Sequence, residues 1–423
     1  MKKLLFLTFV FATSMFLYSC SDDSDSTDSD IEYFDEPDDG YVYLSDFSST
    51  TVPSYDKWVI ADSEADTEDF EGLYDALAAI THSEREISLV FTNLVEIPDY
   101  AIFGQDAVAL YSELEYDTDD DGDEIEVENG VMTSANVVVS ISAPVAQSLG
   151  SYAFAFCNKL VDIDFPEATK LSDNAFLYCS SLTSISNTQF PKLISIGDAT
   201  FYLCLSVTEV NLPIITTIGK KSFALCNSLE SISTPMVSKI GEWAFSACYN
   251  LPTISFPLVE EVGYGAFYYC SALTSVSLPI AETFSDWAFQ YCSALETIEL
   301  PSATNVGTQA FYSCTALTSV TLPELTSISS GLFYKCSALP SVSLPAVTGI
   351  EEDAFRECSA LTALSLATDS GVALTYIDAN AFFGSDTSAI DLTLGSSNSA
   401  LVEESTTLTL GSFSEVFQSI AVI

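Results

Sequence analysis

The most regularly placed reactive side chains in this sequence are cysteines. Eight of them, from Cys204 to Cys358, recur every 22 residues, and Cys157 and Cys179 precede them at the same interval. In an exported chain such a set suggests disulfides or a zinc site. If each unit is one coil of a stack, equivalent cysteines lie about 4.8 Å apart with parallel Cα–Cβ bonds, beyond the Cβ separation of a disulfide. A straight column with one ligand per coil cannot surround zinc tetrahedrally either. The spacing predicts ten buried, reduced, structural thiols.

A second candidate site is acidic and follows the calcium-loop spacing D-x-D-x-D-G-x5-E. The candidate ligands are Asp117, Asp119, Asp121, Asp123 and Glu128. This spacing suits calcium because a tight loop turns alternate carboxylates inward and the final glutamate binds with both oxygens. The flanking residues read as strands rather than helices, and a plain hairpin turn at Asp121-Gly122 explains the same residues. A structural calcium ion and a simple turn both remain open.

Residues for enzyme catalysis are sparse. His82 is the single histidine of the chain, and no nucleophile motif accompanies it. Glycine-rich phosphate loops are absent from the sequence, and acidic residues such as Glu209 and Glu299 occur mostly singly within the repeats. We therefore predict a protein that is not an enzyme and that requires no cofactor, apart from the calcium considered above.

The N-terminus resembles a bacterial lipoprotein signal. Lys2 and Lys3 precede an apolar run that ends at Leu17, which is too short to span a membrane. Leu17-Tyr18-Ser19-Cys20 resembles a lipobox, in which Cys20 would carry the lipid. We expect residues 1–19 to be the signal peptide. The alternative is an ordinary secretory signal followed by a chance cysteine.

Negative charge is concentrated in the N-terminal third of the chain. The formal net charge is −48, and residues 21–130 hold 34 of the 60 acidic residues. So large a net negative charge excludes nucleic acid as a partner and argues against electrostatic attraction to anionic membranes. We expect membrane contact only through the lipid. Residues 20–40 are predicted to be an acidic, disordered tether, which either is a plain spacer or resembles the signal that directs some lipoproteins to the cell exterior.

The cysteines belong to a repeated unit that predicts a solenoid. In Leu273-Thr-Ser-Val-Ser-Leu-Pro279, apolar and polar residues alternate as in a half-buried strand, and the proline ends the strand. Nine residues after that proline, Ala288-Phe289 opens a turn or short helical segment. A strict period of 22 residues with one strand per unit is typical of stacked coils that bury a common core.

The repeat is similar to that of the BspA-type leucine-rich repeat family of bacterial surface proteins. The likeness covers about Ile87 to Ser385, over ten consecutive units. It implies an α/β-type solenoid, a right-handed coil with one parallel β-sheet and short turns or helical segments on the other side. It also implies attachment to a host protein or to another bacterial cell, with the chain lipid-anchored at the outer membrane and facing the exterior.

The two ends of the repeat array depart from the 22-residue pattern. Residues 41–85 are predicted to form an N-terminal cap that contains a strand at Trp58-Val-Ile60 and a helix over Asp66–Thr81. The solenoid is placed at residues 86–385, interrupted by an acidic hairpin insert at about 108–134. Residues 386–423 are predicted to form a β-containing C-terminal cap, with strands at Ile390–Leu394 and Thr407–Leu410 and a closing helix or strand after Phe413.

The two variable positions of the Ala-Phe-x-x-Cys segment repeatedly carry tyrosine. These tyrosines are Tyr178, Tyr202, Tyr268, Tyr269, Tyr291, Tyr312 and Tyr334. Stacked coils would align them as a stripe, with Trp243 and Trp287 nearby. Tyrosine suits protein interfaces and sugar stacking because it offers a large amphipathic area with little rotamer entropy to lose. The alternative is that the rings only pack on neighbouring coils.

The strand residues that face outward are mostly serine and threonine, which offer few of the anchors typical of an interface. We read them as a structural ladder rather than as a groove. The predicted function is a lipid-anchored module for protein binding or adhesion. Glycan binding, or an accessory part in a surface uptake system, is the alternative.

Overall fold

A computed structural model shows a stack of coils that starts near the N-terminal helix and continues to the last strand. The structure describes residues 32–34, 45, 47, 51–53, 57–60, 62, 70–79, 86–102, 137–366, 374–378, 380–386, 390–394 and 419–422. The predicted signal peptide, Cys20, His82, the acidic insert with its five candidate calcium ligands and the strand predicted at Thr407–Leu410 lie outside the described residues.

The chain forms short strands and one described α-helix. In chain order they are β1 (Glu32–Phe34), β2 (Thr51–Pro53), β3 (Lys57–Ile60), α1 (Glu71–Ala79), β4 (Ile87–Phe91), β5 (Glu96–Ile97), β6 (Val138–Ser142), β7 (Ser148–Leu149), β8 (Asp162–Asp164), β9 (Lys170–Leu171), β10 (Ser184–Ser186), β11 (Ser195–Ile196), β12 (Glu209–Asn211), β13 (Thr217–Ile218), β14 (Ser231–Ser233), β15 (Lys239–Ile240), β16 (Thr253–Ser255), β17 (Glu261–Val262), β18 (Ser275–Ser277), β19 (Thr283–Phe284), β20 (Thr297–Glu299), β21 (Asn305–Val306), β22 (Ser319–Thr321), β23 (Ser327–Ile328), β24 (Ser341–Leu344), β25 (Gly349–Ile350), β26 (Ala363–Leu366), β27 (Tyr376–Ile377), β28 (Asp391–Leu394) and β29 (Ser419–Val422).

The predicted strand of each repeat is present, and successive strands are parallel. From β4 to β28 the even-numbered strands form one side of the stack, which we call the long-strand face. Equivalent residues pair in register; Ile254, for example, lies opposite Val276. Because side chains alternate along a strand, Ile254 points into the core while its hydroxyl-bearing neighbours point outward.

A second ladder of strands corrects the prediction of a single sheet. The odd-numbered strands from β5 to β27 stack in parallel on another side of the coils, which we call the short-strand face. Nine of them, β5 to β21, form one sheet, and β23 to β27 form another. Each has only two residues, one buried and one outward, as in Lys239-Ile240. Two residues are too few for an alternating pattern to predict a strand.

The Ala-Phe-x-x-Cys segment forms turns on a third side of the coils, the turn flank. Its backbone is joined to the next coil by regularly spaced hydrogen bonds, such as Trp243 N to Tyr264 O (2.7 Å) and Ala247 N to Tyr268 O (2.7 Å). The residue before the alanine and the residue before the cysteine usually have a positive φ, for example 55° at Trp243 and 57° at Ala247. The hydrogen bonds between coils thus hold non-glycine residues in the left-handed conformation. For a single residue without such support, that conformation costs about 1 kcal/mol or more.

The interior contains columns of identical side chains. Phenylalanines of successive coils stack nearly parallel, as do Phe245 and Phe267 with 5.4 Å between ring centroids. All ten described cysteines are buried and free, which confirms the predicted thiols. Nine of these thiols, from Cys179 to Cys358, donate to a phenylalanine carbonyl of the preceding coil, as Cys226 Sγ does to Phe201 O (3.3 Å). Burial raises the pKa of Cys226 to about 12, so the thiol stays protonated.

The N-terminal end extends the sheet and covers the first coil. The strand predicted at Trp58-Val-Ile60 is β3, which pairs in parallel with β4. The predicted helix is described over Glu71–Ala79, and Leu73 and Leu77 are fully buried on one side of it. The tether prediction is wrong for residues 32–34, which form β1 and pair with β2. Tyr33 and Phe34 interrupt the acidic composition there and supply strand-forming side chains.

The C-terminal end continues the long-strand face. Leu364 of β26 pairs with Leu392 of β28, which in turn pairs with Ile420 of β29. The structure thus has a strand at Asp391–Leu394, where the sequence predicts one at Ile390–Leu394, and the closing segment includes a strand at Ser419–Val422. Ser385 stands in the cysteine position and reproduces its role, because its Oγ donates to Phe355 O at 2.7 Å.

Candidate functional site

The two variable positions of the turn flank place side chains on the outside of the stack. The first directly follows the core phenylalanine, and the second directly precedes the cysteine. Because every coil has the same turn and the coils are joined by the same hydrogen bonds, side chains at these positions meet their equivalents one coil away. The types of side chain at these two positions change along the stack and divide the turn flank into two sections.

The N-terminal section, which we call the closed section, is a hydrophobic cluster of aliphatic and aromatic side chains. Its members are Tyr152, Ala155, Phe156, Leu177, Tyr178, Ala199, Tyr202, Leu203, Ala224 and Leu225. Tyr202 is only 6% exposed, and Leu177 is fully buried. Small and aliphatic neighbours lie on both sides of Tyr202, so its ring packs into the cluster instead of standing free of it.

The C-terminal section, which we call the open section, is a continuous group of half-exposed rings. Its aromatic residues are Trp243, Tyr264, Tyr268, Tyr269, Trp287, Tyr291, Tyr312, Tyr334 and Phe383. Tyr269 stacks on Tyr291 with 4.3 Å between centroids. Tyr291 meets Tyr312 edge to face at 5.2 Å, and Tyr312 meets Tyr334 in the same way at 4.7 Å.

Gly265 makes room for the first tryptophan of the open section. It occupies the position before the alanine with a φ of +56°, and a Cβ built there would lie 2.5 Å from the Trp243 ring. The absent side chain lets Trp243 lie against the backbone of the next coil. From there Trp243 contacts Tyr268 at 5.2 Å and Trp287 at 6.1 Å.

Two cations complete the C-terminal end of the open section. Lys335 Nζ lies 5.1 Å from the centroid of Tyr334, and the guanidinium of Arg356 lies 5.1 Å from the same ring. Lys335 also donates to Tyr312 OH at 3.3 Å, and that hydrogen bond raises the pKa of Lys335. Arg356 pairs with Asp353 at 3.2 Å. Cations over aromatic faces gain about 0.5–1 kcal/mol at exposed sites.

Ring crowding changes the acidity of the phenols. Burial raises the pKa of Tyr268, and the neighbouring phenols Tyr269 and Tyr264 add to the shift. Burial also raises the pKa of Tyr291, with a further contribution from Tyr312. These tyrosines are therefore neutral hydrogen-bond donors and acceptors at physiological pH. The open section offers a neutral, amphipathic surface with two cations at one end.

The structure divides the seven predicted tyrosines between the two sections. Tyr268, Tyr269, Tyr291, Tyr312 and Tyr334 lie together in the open section, whereas Tyr178 and Tyr202 belong to the closed section. Ala224 and Ala247 interrupt the stripe between them, with 3% and 7% exposure. Whether the tyrosines bind a partner stays a prediction.

Sequence reasoning missed four members of the open section. They are Tyr264, Lys335, Arg356 and Phe383. Lys335, Arg356 and Phe383 occupy the same two repeat positions as the tyrosines, so reading those positions for every residue type would have found them. Tyr264 precedes Gly265, and only the three-dimensional packing on Trp287, at 5.0 Å, brings it into the group.

A shallow concavity adjoins the open section where the short-strand face is interrupted between β21 and β23. It measures about 490 Å³, and its lining includes Tyr264, Thr283, Asp286, Asn305 and Thr308. Asp286 accepts a hydrogen bond from Thr308 N at 2.7 Å. One aromatic wall beside amide, carboxylate and hydroxyl groups is chemically suited to a small polar ligand.

The described part of the chain contains neither a cluster of metal-ligating side chains nor a helix suited to cross a membrane. Within it, no group of three or more histidine, cysteine, aspartate or glutamate residues could hold a metal ion. No helix among the described residues has the length and apolarity needed to cross a membrane. The calcium prediction is untested because its ligands lie outside the described residues.

Comparison with known proteins identifies the repeat. A family model for the BspA type Leucine rich repeat region matches in 6 copies, within residues 133–236, 194–314 and 282–405. A leucine rich cell surface protein from Faecalibacterium prausnitzii A2-165 is 24% identical, covers 61% of this chain and 79% of its own, and has a TM-score of 0.38. A leucine-rich repeat protein from Bacteroides ovatus ATCC 8483 is 21% identical, covers 68% of this chain and 84% of its own, and has a TM-score of 0.42.

A search of curated proteins found no match. The family model spans residues 133–405, which is more than half of the 423-residue chain. The chain therefore belongs to the BspA-type leucine-rich repeat family of bacterial cell-surface proteins.

Proposed function

We propose that this protein is an adhesion module that binds a protein on a host surface or on another bacterial cell through the open section. The observation that supports this proposal is the continuous group of half-exposed tyrosine and tryptophan rings with Lys335 and Arg356 at its end. Tyrosine, tryptophan and arginine are the residues that most often dominate binding energy in protein interfaces. The family consists of bacterial cell-surface proteins, and this supports a contact with a partner outside the cell.

The arrangement of the rings favours a protein partner over a sugar chain. Tyr268 and Tyr291 meet at an interplanar angle of 86°, and Tyr291 and Tyr312 at 75°. Edge-to-face packing turns successive rings in different directions, so the surface is uneven rather than a row of coplanar faces. Side chains of a protein partner can fill such a surface, whereas a sugar chain is best held by aligned faces.

Binding is tested by removing three rings from successive coils of the chain made without its lipid. We expect Tyr268→Ser, Tyr291→Ser and Tyr312→Ser together to abolish capture of proteins from host extracellular matrix. A matched control changes Ser277, Thr297 and Ser319 to alanine, which alters the long-strand face of the same region and should leave capture intact. Full capture by the folded tyrosine variant, shown by circular dichroism, would contradict the proposal.

Location at the outer membrane is part of the same proposal. Cys20 after Leu17-Tyr18-Ser19 supports a lipid anchor, and the acidic residues that follow support export to the outer face. Protease treatment of intact cells should then remove the solenoid, and Cys20→Ser should release the protein from the membrane fraction. Protection until the outer membrane is broken would place the solenoid in the periplasm.

Glycan binding is a second candidate function, supported by the concavity beside Tyr264. Its mixture of one aromatic wall with Asp286 and Asn305 resembles the composition that orients sugar hydroxyls. A glycan array probed with the wild type and with Asn305→Ala tests it. Signals that the asparagine variant loses and the triple tyrosine variant keeps would favour this second function, alone or as part of a surface uptake system.

A further inference from the structure

A row of exposed apolar side chains lies on a different part of the stack from the turn flank. In four consecutive coils, the residue that follows the strand-ending proline is Ile214, Met236, Leu258 and Ile280, spaced 22 residues apart. Their side chains are 43%, 48%, 41% and 41% exposed. At about 4.8 Å per coil, the row is about 14 Å long. We call it the apolar row.

The fold does not require apolar residues at this position. The same position holds Glu167 and Lys192 in the two preceding coils, and Ser302 and Glu324 in the two that follow. Lys192 and Glu167 form an exposed ion pair there. Since the two coils on either side place charge or hydroxyl at this position, an uninterrupted apolar row over the four coils between them calls for a partner that covers it.

The prolines enlarge the apolar surface. Pro235, Pro257 and Pro279 precede members of the row and are themselves exposed. Proline has no N–H and a fixed φ, so each coil presents a rigid two-residue apolar corner that loses little entropy on binding.

Charges beside the apolar row change sign along the stack. Lys239, three residues after Met236, is exposed, and its Nζ lies 3.2 Å from Glu261 Oε2. Glu260, Glu261 and Glu282 occupy the positions just after Leu258 and Ile280 and are also exposed. In the two or three residues that follow the row position, the coils of Ile214 and Met236 are thus neutral to positive. The coils of Leu258 and Ile280 are negative at the same positions.

We propose that the apolar row is the contact with a second copy of this chain, packed antiparallel about a two-fold axis between the coil of Met236 and that of Leu258. A two-fold contact pairs each residue reciprocally with its opposite. Met236 then lies against Leu258 of the second copy, and Ile214 against its Ile280. Lys239 lies beside Glu261 of the second copy, so the edges match in charge as well as in apolarity.

Charge selects the antiparallel arrangement over the parallel one. A parallel two-fold pair would place Lys239 and Glu261 of one copy on the opposite side of the apolar row from those of the other, so neither charge would meet an opposite charge across the contact. The antiparallel pair also separates the N-terminal ends of the two repeat stacks, which a parallel pair would bring together.

The antiparallel pair has a consequence that rests on the proposed lipid anchor at Cys20. The two anchored ends point away from each other, so the contact suits copies that stand on two facing cells. A homophilic contact of this kind would join cells of the same type, independently of any partner of the open section.

The self-association itself is tested by sedimentation velocity on the lipid-free chain at about 150 mM salt, from about 1 µM to about 500 µM, the range expected for a small interface. We expect a concentration-dependent monomer–dimer equilibrium. Met236→Glu should weaken it by about tenfold or more, because it buries a charge at the centre of the contact. Glu167 and Glu324 occupy the position of Met236 in other coils, so the folded monomer of this variant should survive. Thr297→Glu on the long-strand face, where Glu209 occupies the equivalent position of another coil, should leave association unchanged.

Charge exchange tests the geometry. Lys239→Glu and Glu261→Lys should each weaken association, because each places like charges opposite one another in the antiparallel pair. A mixture of these two variants should associate as well as the wild type, since opposite charges then face each other between chains. Monomer at every concentration, or equal association of Met236→Glu and wild type, would overturn the proposal. A mixture no better than either variant would overturn the antiparallel register.

Discussion

The closed and open sections of the turn flank use the same backbone for different purposes. Tyr202 and Tyr312 both follow the core phenylalanine of their coil. Tyr202 is 6% exposed and packs into the hydrophobic cluster of the closed section, whereas Tyr312 is half-buried between other rings and beneath Lys335. The backbone ladders on either side of them are alike. In this fold, therefore, the core positions determine the backbone structure of the coil. The outer positions determine whether the side chains on its turn flank are buried or exposed to a partner.

The difference arises from the neighbours one coil away. In the closed section the equivalents of Tyr202 are Leu177 and Ala224, which leave room for the ring to pack inward. In the open section the nearby side chains are Tyr291, Tyr334 and Lys335, which are as long as Tyr312 and support its ring without covering it. A flank thus becomes a surface for binding when large amphipathic side chains occur in consecutive coils.

The largest expected effect is on stability, and it separates two tyrosines at the same repeat position. Tyr202→Ser should lower the free energy of unfolding by about 3 kcal/mol, because it removes a buried ring and leaves a cavity. Tyr312→Ser should lower it by about 1 kcal/mol, since its ring is partly hydrated already. Urea denaturation followed by far-ultraviolet circular dichroism measures both. Equal losses would show that the two sections are not distinct in packing.

Much of the fold was predictable because the signal repeats. The strand pattern around Val276, the proline after it and the cysteine column each recur in successive coils, so the stack and its buried thiols follow from spacing alone. The short-strand face was not predictable, since strands of two residues such as Glu261-Val262 carry no alternation. Their pairing depends on the register that the rest of the coil imposes.

The candidate site was predictable only in part. The tyrosine positions followed from the repeat, but the separation of Tyr202 from Tyr268 did not, because it depends on Ala224 and Ala247 filling the flank between them. The apolar row was not predicted. Nothing in the sequence pattern shows whether Met236 and Leu258 are buried, and only the structure shows that they are exposed.

The next effect concerns alkaline pH and is specific to the open section. Burial raises the pKa of Tyr268 and Tyr291, so the unfolded chain releases these protons first. The stabilisation is complete below pH 10, the ordinary tyrosine pKa, and is lost progressively as the pH rises above it. Tyr268→Phe with Tyr291→Phe should reduce this loss by about 1 kcal/mol at pH 11 after allowance for solvent screening. Urea midpoints at pH 8 and pH 11 measure it, and equal pH dependence in both proteins would contradict it.

A comparable effect of opposite sign is expected in the coil between the two sections. Thr234 occupies a leucine position of the core with 1% exposure, and its Oγ1 has no hydrogen-bond partner among the described residues. Thr234→Val should raise the free energy of unfolding by about 1 kcal/mol, since it removes an unpaired buried hydroxyl.

Thr200→Val is the matched control in the closed section. Thr200 is also buried, but its Oγ1 donates to Gly197 O at 2.9 Å. Its replacement should lower the free energy of unfolding by about 1 kcal/mol, because a buried hydrogen bond is lost. Changes of the same sign in the two valine variants would contradict the assignment of Thr234 as unsatisfied.

The smallest expected effect compares a lysine of each half of the solenoid. Lys335 contacts the faces of Tyr312 and Tyr334 and donates to Tyr312 OH, whereas Lys192 has an exposed ion pair with Glu167. Lys335→Met should cost about 0.5–1 kcal/mol and Lys192→Met about 0–0.5 kcal/mol, as measured by urea denaturation at low salt. In 1 M sodium chloride the cost at Lys192 should vanish, because screening acts within about 3 Å and weakens an exposed pair. The cost at Lys335 should largely persist, since ring contact and the hydrogen bond to the phenol do not depend on a solvated counter-charge. If salt abolished both, Lys335 would be an ordinary surface charge, and the open section would lack the cationic end that distinguishes it from the closed one.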